Sequence, residues 1–378
     1  MMMMTTTRAI TCYLCKKIFH TQRSNFLHVG SKAIFSNFNI PELEWKNPAF
    51  STVATSSTNI GIIGVPFSKG QRKSGVEKGP LAIRDGGLLE KMQELGLNVK
   101  DLGDVEITEV PDENVQQGLA IHSPTVGLVA KKVSEKVSQV LRDNYLCVTL
   151  GGDHSLGLGT IHGHSCVYPE LSVLWIDAHA DINTALTSPT GNLHGMSCSF
   201  VLHGLEDHKM PLSGFDWLKP CLHPEHLAYI GLRELDPLER LLVDKLGIPY
   251  FSMDDIDRLG IHEVIRKALK AINPRKDRSL HVSFDIDALD KFLVPSTGTP
   301  VIGGLTVREA LCIAEEVAKT GLLKGLDLVE VNPLLGTKDE VERTVAIAIQ
   351  VIVAFFGQER LGPMTRHTLS KLDLPVVK

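Results

Sequence analysis

Short apolar runs, each closed by glycine, proline or an acid, alternate along the chain with stretches of helical period. Residues 59–66, NIGIIGVP, form such a run and suit a buried strand. The spacing predicts a helix over 80–95, opened by Pro80 and closed by Gly96, and another over 124–143. Residues 145–150, 171–176, 227–230, 280–284 and 325–329 read as further strands, and 306–319 and 338–356 as helices. Strands that are apolar throughout and alternate with helices specify an α/β domain with a mostly parallel sheet covered on both faces. No repeat or linker-like stretch interrupts the pattern after residue 59, so a single domain is expected over about 57–357.

In a parallel sheet, ligands bind outside the carboxyl ends of the strands. Polar residues do collect there. The strand ending at Leu150 runs into Gly-Gly-Asp153-His154-Ser155, and the strand ending at Ile176 into Asp177-Ala-His179-Ala-Asp181. Phe284 is followed by Asp285-Ile-Asp287, and Val329 by Glu330-Val-Asn-Pro. On an extended backbone, residues two apart share a face, so Asp177, His179 and Asp181 are expected to point together, as are Asp285 and Asp287. Four carboxylates gathered in an apolar sheet repel one another unless a cation lies between them. Their formal charge of -4 matches two divalent ions, with His154 and His179 completing the shell as neutral imidazoles. The carboxylate-rich mix suits manganese better than zinc. Taken singly, each piece has a plain reading: a solvated loop, a capped turn, a structural His–Asp pair. Three such clusters at three strand ends leave little room for that reading. Dinucleotide, P-loop, zincin and serine-nucleophile signatures are absent; Gly157-Leu-Gly159 reads as a helix-packing fragment.

Composition narrows the class. The chain has 378 residues, with 39 Lys+Arg against 44 Asp+Glu, which excludes attachment to nucleic acid by general basicity. Seven cysteines are too few for a disulfide scaffold. The longest apolar run, Val345 to Phe356, is too short to cross a bilayer, so no membrane span is expected. The charge is unevenly spread: residues 1–40 contain five Lys/Arg, eight Ser/Thr and no acid. That texture fits a mitochondrial transit peptide, with a disordered extension or an upstream start codon in the Met1–Met4 run as the plainer reading, and the lone Cys12-x-x-Cys15 inside it reads as incidental. Residues 358–378 read as a tail.

The GGDHS, DAHAD and SFDID segments together resemble the arginases of the ureohydrolase family, most of all the animal mitochondrial type. The resemblance extends from about Asn59 to Gly357 and includes Gly61–Gln71, Gly191-Asn-Leu-His-Gly195, Ile230-Gly-Leu-Arg233, Thr297-Gly-Thr-Pro300 and Glu330-Val-Asn-Pro333. It implies a single domain with a parallel eight-stranded sheet, commonly a homotrimer, and two Mn2+ per subunit held by His154, Asp177, His179, Asp181, Asp285 and Asp287. It further implies hydrolysis of L-arginine to L-ornithine and urea in the mitochondrial matrix, by a water that the metal pair makes nucleophilic. His194 would shuttle the proton to the leaving amine and Glu330 would hold the guanidinium. Asn183, Ser188, Thr190, Asn192 and Asp236 would read the α-carboxylate and α-amino groups, with Thr299 lining the pocket. Arg360 falls where the family has an arginine used between subunits. The chain departs from the family pattern at Ala185, Pro189, Thr190, Met196-Ser197, Ala288 and Lys291, none of them an expected ligand. Two other classes stay open at this point: a related hydrolase of agmatine or a guanidino acid, and a metal-loaded binding protein. The loop from Asn183 to Asn192 with Asp236 discriminates against the first, and His194 with Glu330 against the second.

Overall fold

The computed structural model describes residues 59–108, 110, 120–206, 211–358 and 360. The expected transit peptide at 1–40, its CxxC pair and all but two residues of the expected tail lie outside them.

Eight strands form one sheet: β1 (Asn59–Val65), β2 (Asn98–Asp104), β3 (Tyr145–Gly151), β4 (Leu171–Ile176), β5 (Leu227–Leu232), β6 (Tyr250–Ser252), β7 (Ser279–Asp285) and β8 (Leu323–Val329). Their order is β2-β1-β3-β8-β7-β4-β5-β6, and every pairing is parallel. The helices are α1 (Gly79–Asp85), α2 (Leu88–Glu94), α3 (Ser123–Arg142), α4 (Gly157–Ser165), α5 (Ser197–Val201), α6 (Pro237–Leu246), α7 (Met253–Leu259), α8 (Ile261–Ile272), α9 (Val307–Thr320) and α10 (Lys338–Ala354). Alternate strand residues feed two separate cores. Ile60, Val148, Leu174, Val282 and Leu326 pack with α1, α2 and α7 to α10 on one face. Cys147, Val173, Trp175 and Tyr229 pack with α3 to α6 on the other. Burial on both faces is why these strands show no apolar–polar alternation in the sequence.

The single helix expected over 80–95 is in fact two. Gly87 adopts φ 91, a left-handed conformation that glycine takes at little cost, and the chain turns between α1 and α2. The pattern also passes over β2 and β6. Both lie at sheet edges; β2 is largely exposed, with Lys100, Asp101 and Asp104 in its run, and β6 is three residues long. Edge strands of this kind carry no apolar run to detect. Among the described residues, no helix is long and apolar enough to cross a membrane.

Because all strands run the same way, their carboxyl ends meet at one rim. The four central neighbours, β3, β8, β7 and β4, deliver the His154, Glu330, Asp285–Asp287 and Asp177–Asp181 segments side by side.

Candidate metal centre

Three of the four polar segments close on themselves through the same local device. The Asp153 carboxylate accepts the Ser155 N–H, Asp177 accepts the His179 N–H at 2.8 Å, and Asp285 accepts the Asp287 N–H at 2.8 Å. Each aspartate thereby turns the chain sharply at its strand end. The extended backbone expected through Asp177–Asp181 and Asp285–Asp287 is therefore not what brings these residues together. β4 stops at Ile176, Asp181 takes φ 48, and Ile286–Ala288 forms a 3-10 turn. The residues converge because the chain folds back on itself.

Their convergence is tight. His154 Nδ1 faces Asp177 Oδ2 at 3.1 Å, Asp181 Oδ2 at 3.2 Å and Asp285 Oδ2 at 3.2 Å. His179 Nδ1 faces Asp177 Oδ1 at 3.3 Å and Asp287 Oδ2 at 3.4 Å. Asp177 thus turns one oxygen to each group, and two sets of ligand atoms close enough to hold a cation share it: His154, Asp177 and Asp181 in one, Asp177, His179 and Asp287 in the other. His154 and all four aspartates are buried. Burial and the neighbouring carboxylates push Asp285 well above the usual range, and burial with the Asp177 charge raises Asp181. Asp177 is held low despite burial, because the two imidazoles face its carboxylate from either side.

Two atoms test whether cations suit this basin. His154 Nδ1 is buried with no hydrogen-bond partner, although three carboxylates surround it, and Asp287 Oδ1 is likewise buried and unbonded. A buried ring nitrogen ringed by carboxylates and bonded to none of them suits a metal ion held between them. The far nitrogen is anchored: His154 Nε2 lies 2.9 Å from Ser283 Oγ, which in turn reaches Asp327 Oδ2. Trp175 stacks on the His154 ring at 4.0 Å and donates its N–H to Asp177 Oδ2 at 2.9 Å. His179 Nε2 meets Glu234 Oε2 at 3.2 Å. The set of residues fits a pair of divalent cations.

The remaining expected residues fall around this basin. Glu330 is fully buried in a left-handed conformation, φ 64. Its carboxylate accepts from the His154 N–H at 2.9 Å, from Gln71 Nε2 at 2.7 Å and from His194 Nδ1 at 3.1 Å. Burial acts to lower the His194 pKa, but Glu330 outweighs it and lifts it to about 9. A cleft joins His179, Asp181 and Asp285 to His194, Asn183, Ser188, Thr190, Asn192, Asp236 and Thr299. Asn183 donates to Asp236 Oδ2 at 2.9 Å, and Thr299 Oγ1 donates to Asp287 Oδ2 at 2.8 Å. Ser188 Oγ accepts the Gly191 N–H at 3.0 Å, and Thr190 Oγ1 accepts the Asn192 N–H at 3.3 Å, so the loop holds its own shape. Asn192 Oδ1 is unbonded. Arg360 lies against Glu315 of the same chain at 2.8 Å.

Sequence reasoning passed over Gln71, Trp175, Ser283, Glu234, Glu239 and Asp327. Glu239 caps the Ile182 and Asp236 N–H groups and is raised by burial to about 7. Ser197, one of the departures, donates its hydroxyl to the His154 carbonyl at 2.8 Å and the His194 carbonyl at 3.2 Å. It ties the two histidine segments together.

Fold and basin together define a class: an α/β enzyme that gathers cation-binding groups at the ends of parallel strands. The family model described as "Arginase family" matches residues 58–357. "Arginase, non-hepatic 1" of Xenopus laevis is 48% identical over 345 residues, 91% of this chain and 92% of that protein. "Arginase-2, mitochondrial" of Homo sapiens is 50% identical over 313 residues, 82% and 88% of the two chains. The solved arginase of Bacillus caldovelox superposes with a TM-score of 0.74 at 35% identity, covering 80% of this chain and 99% of its own. The chain belongs to the arginase family and is a hydrolase of that family.

Proposed function

We propose that this hydrolase is a binuclear manganese arginase that cleaves the guanidinium of L-arginine to L-ornithine and urea. The observation that carries the choice of substrate is the cleft that joins the His/Asp basin to Asn183, Ser188, Thr190, Asn192 and Asp236. Agmatine has no α-carboxylate for the amides and hydroxyls of that loop to read.

His154, Asp177, Asp181 and Asp285 would hold one ion, and Asp177, His179 and Asp287 the other. Bound there, such a pair supplies a water acidic enough to serve as a nucleophile near neutral pH. The chain's own groups do the rest. Glu330, an anion fixed at the basin floor by Gln71 and the His154 N–H, orients the planar guanidinium. His194, held protonated by Glu330, carries a proton on its imidazole and gives it to the departing amine. Asn192 Oδ1, unbonded within the protein, and Asp236 take the α-amino end, while the hydroxyls of Ser188 and Thr190 take the carboxylate.

The relatives' names support a mitochondrial setting, and we place the mature chain, without residues 1–40, in the matrix as a homotrimer. The catalytic domain is taken as 57–357. Steady-state urea release from the Mn-loaded protein tests the reading: L-arginine should turn over far faster than agmatine. Equal or faster turnover of agmatine would overturn the choice of substrate.

A further inference from the structure

We propose that Arg233, at the end of β5, is the positioning residue for the cation held by Asp177, His179 and Asp287. The inference rests on the binuclear reading above.

Arg233 directs its guanidinium at backbone carbonyls. Nη2 donates to Asp287 O at 2.7 Å, Val301 O at 3.0 Å and Leu289 O at 3.2 Å. Nη1 donates to Ala288 O at 3.1 Å and Gly231 O at 3.4 Å, and Nε to Ile302 O at 3.3 Å. Three consecutive carbonyls, Asp287 to Leu289, belong to the turn that presents the Asp287 carboxylate. Val301 and Ile302 belong to the loop that presents Thr299, whose hydroxyl bonds Asp287 Oδ2 at 2.8 Å. One planar group with five donors therefore fixes both the turn carrying Asp287 and the loop that buttresses its carboxylate. The fit is close: a side-chain carbon at Gly304 would lie 2.6 Å from Nη2.

The backbone of the same segment secures the other two ligands. The N–H groups of Arg233 and Glu234 both donate to Ala178 O, at 2.9 and 3.1 Å, and Ala178 lies between Asp177 and His179. The Glu234 carboxylate meets the outer nitrogen of His179 at 3.2 Å. All three residues of this cation position are thus tied to one dipeptide. His154 itself is tied elsewhere, through Ser283 to Asp327 and through Ser197, although its cation position shares Asp177 and its Asp285 accepts the Asp287 N–H. Loss of the Arg233 side chain should then weaken the cation beside Asp287 more than the cation beside His154.

The test is Mn2+ binding to the full chain, by equilibrium dialysis with metal analysis and by electron paramagnetic resonance, on wild type, Arg233→Lys and Arg233→Met. Lysine keeps the charge but cannot span three segments with one ammonium. Partners that hold ligands in place typically contribute 10- to 100-fold in metal affinity. The expected result is two ions in wild type. In Arg233→Lys the site beside Asp287 should be at least about 10-fold weaker and the site beside His154 clearly less affected, with the spectrum of a coupled pair replaced by that of isolated Mn2+. Excess Mn2+ should restore the second ion, and with it kcat, at unchanged KM. Adding Arg233→Lys to Asp287→Asn should weaken the remaining ion far less than Arg233→Lys alone weakens the ion beside Asp287. Wild-type affinity at both sites in both variants would overturn the proposal. So would equal weakening of both sites in step with a fall in the melting temperature of the metal-free protein, the signature of a general structural role. A wild-type chain that itself holds fewer than two ions would remove the proposal together with the reading beneath it, and wild type alone would show this.

Discussion

At the residue scale, the site is a set of side chains kept in states they would not hold alone. Asp181 and Glu330 are non-glycine residues in left-handed backbone, a conformation that persists only where the surroundings enforce it. His194 and Glu330 illustrate the electrostatic counterpart. Glu330 is held below the usual carboxylate range in spite of burial, through bonds from His194, the His154 N–H and Gln71. His194 is raised in return, to about 9. In the metal-free protein the His194 contribution should be present in full at and below the unperturbed imidazole pKa of about 6.5 and fade as pH rises through about 9, while the Glu330 contribution is lost in acid as that carboxylate protonates. Replacing Glu330 by Gln removes the anion that raises His194 most, and the His194 titration followed by NMR should fall, because the burial that acts to lower it remains. An unmoved titration would show that Glu330 is not its cause.

The same scale shows what the sequence made legible. That these histidines and aspartates gather in one buried basin was readable, because buried carboxylates need neighbours that offset their charge whatever the backbone does. Their backbone path was not, because the period-two rule was applied past the strand ends, where each aspartate bends the chain. Applied in the other direction it holds. Trp175 lies two residues before Asp177, and Ser283 two before Asp285, each on the same strand face as its aspartate and each bonded into the site. Gln71 and Arg233 act across 259 and 54 residues of sequence, on Glu330 and Asp287, and no local pattern marks them.

At the scale of elements, the site depends on helices placed close to one another. α4 begins beside His154 and lies so near α3 that a side-chain carbon at Gly159 would sit 2.5 Å from the Ala130 carbonyl. The fragment Gly157-Leu-Gly159 is therefore a packing device, as its spacing suggested. Gly159→Val should destabilise the protein by about 1–3 kcal/mol through overpacking, read as a lower urea midpoint at unchanged m-value. No shift would mean that α4 can move away freely. The interior strands were legible because burial on two faces makes them continuous apolar runs. The edges β2 and β6, and the break at Gly87, were not, because tertiary position rather than local pattern decides them.

At the scale of the molecule, the formal charge of -5 conceals a concentrated one. Four buried aspartates converge on two imidazoles at one rim of the sheet, and cations would relieve that repulsion. Metal should therefore govern stability as well as activity. Chelation should lower the melting temperature, and Mn2+ at about 100 times its dissociation constant should restore about 2.7 kcal/mol per site. A melting temperature indifferent to chelator would oppose this.

The central claim is that Asp177 stands between two cations, one oxygen for each. Anomalous diffraction from crystals grown with Mn2+, collected above and below the manganese edge, tests it most directly. The account requires two peaks flanking the Asp177 carboxylate, one beside His154 and one beside His179. A single peak, or manganese held away from Asp177, would contradict it.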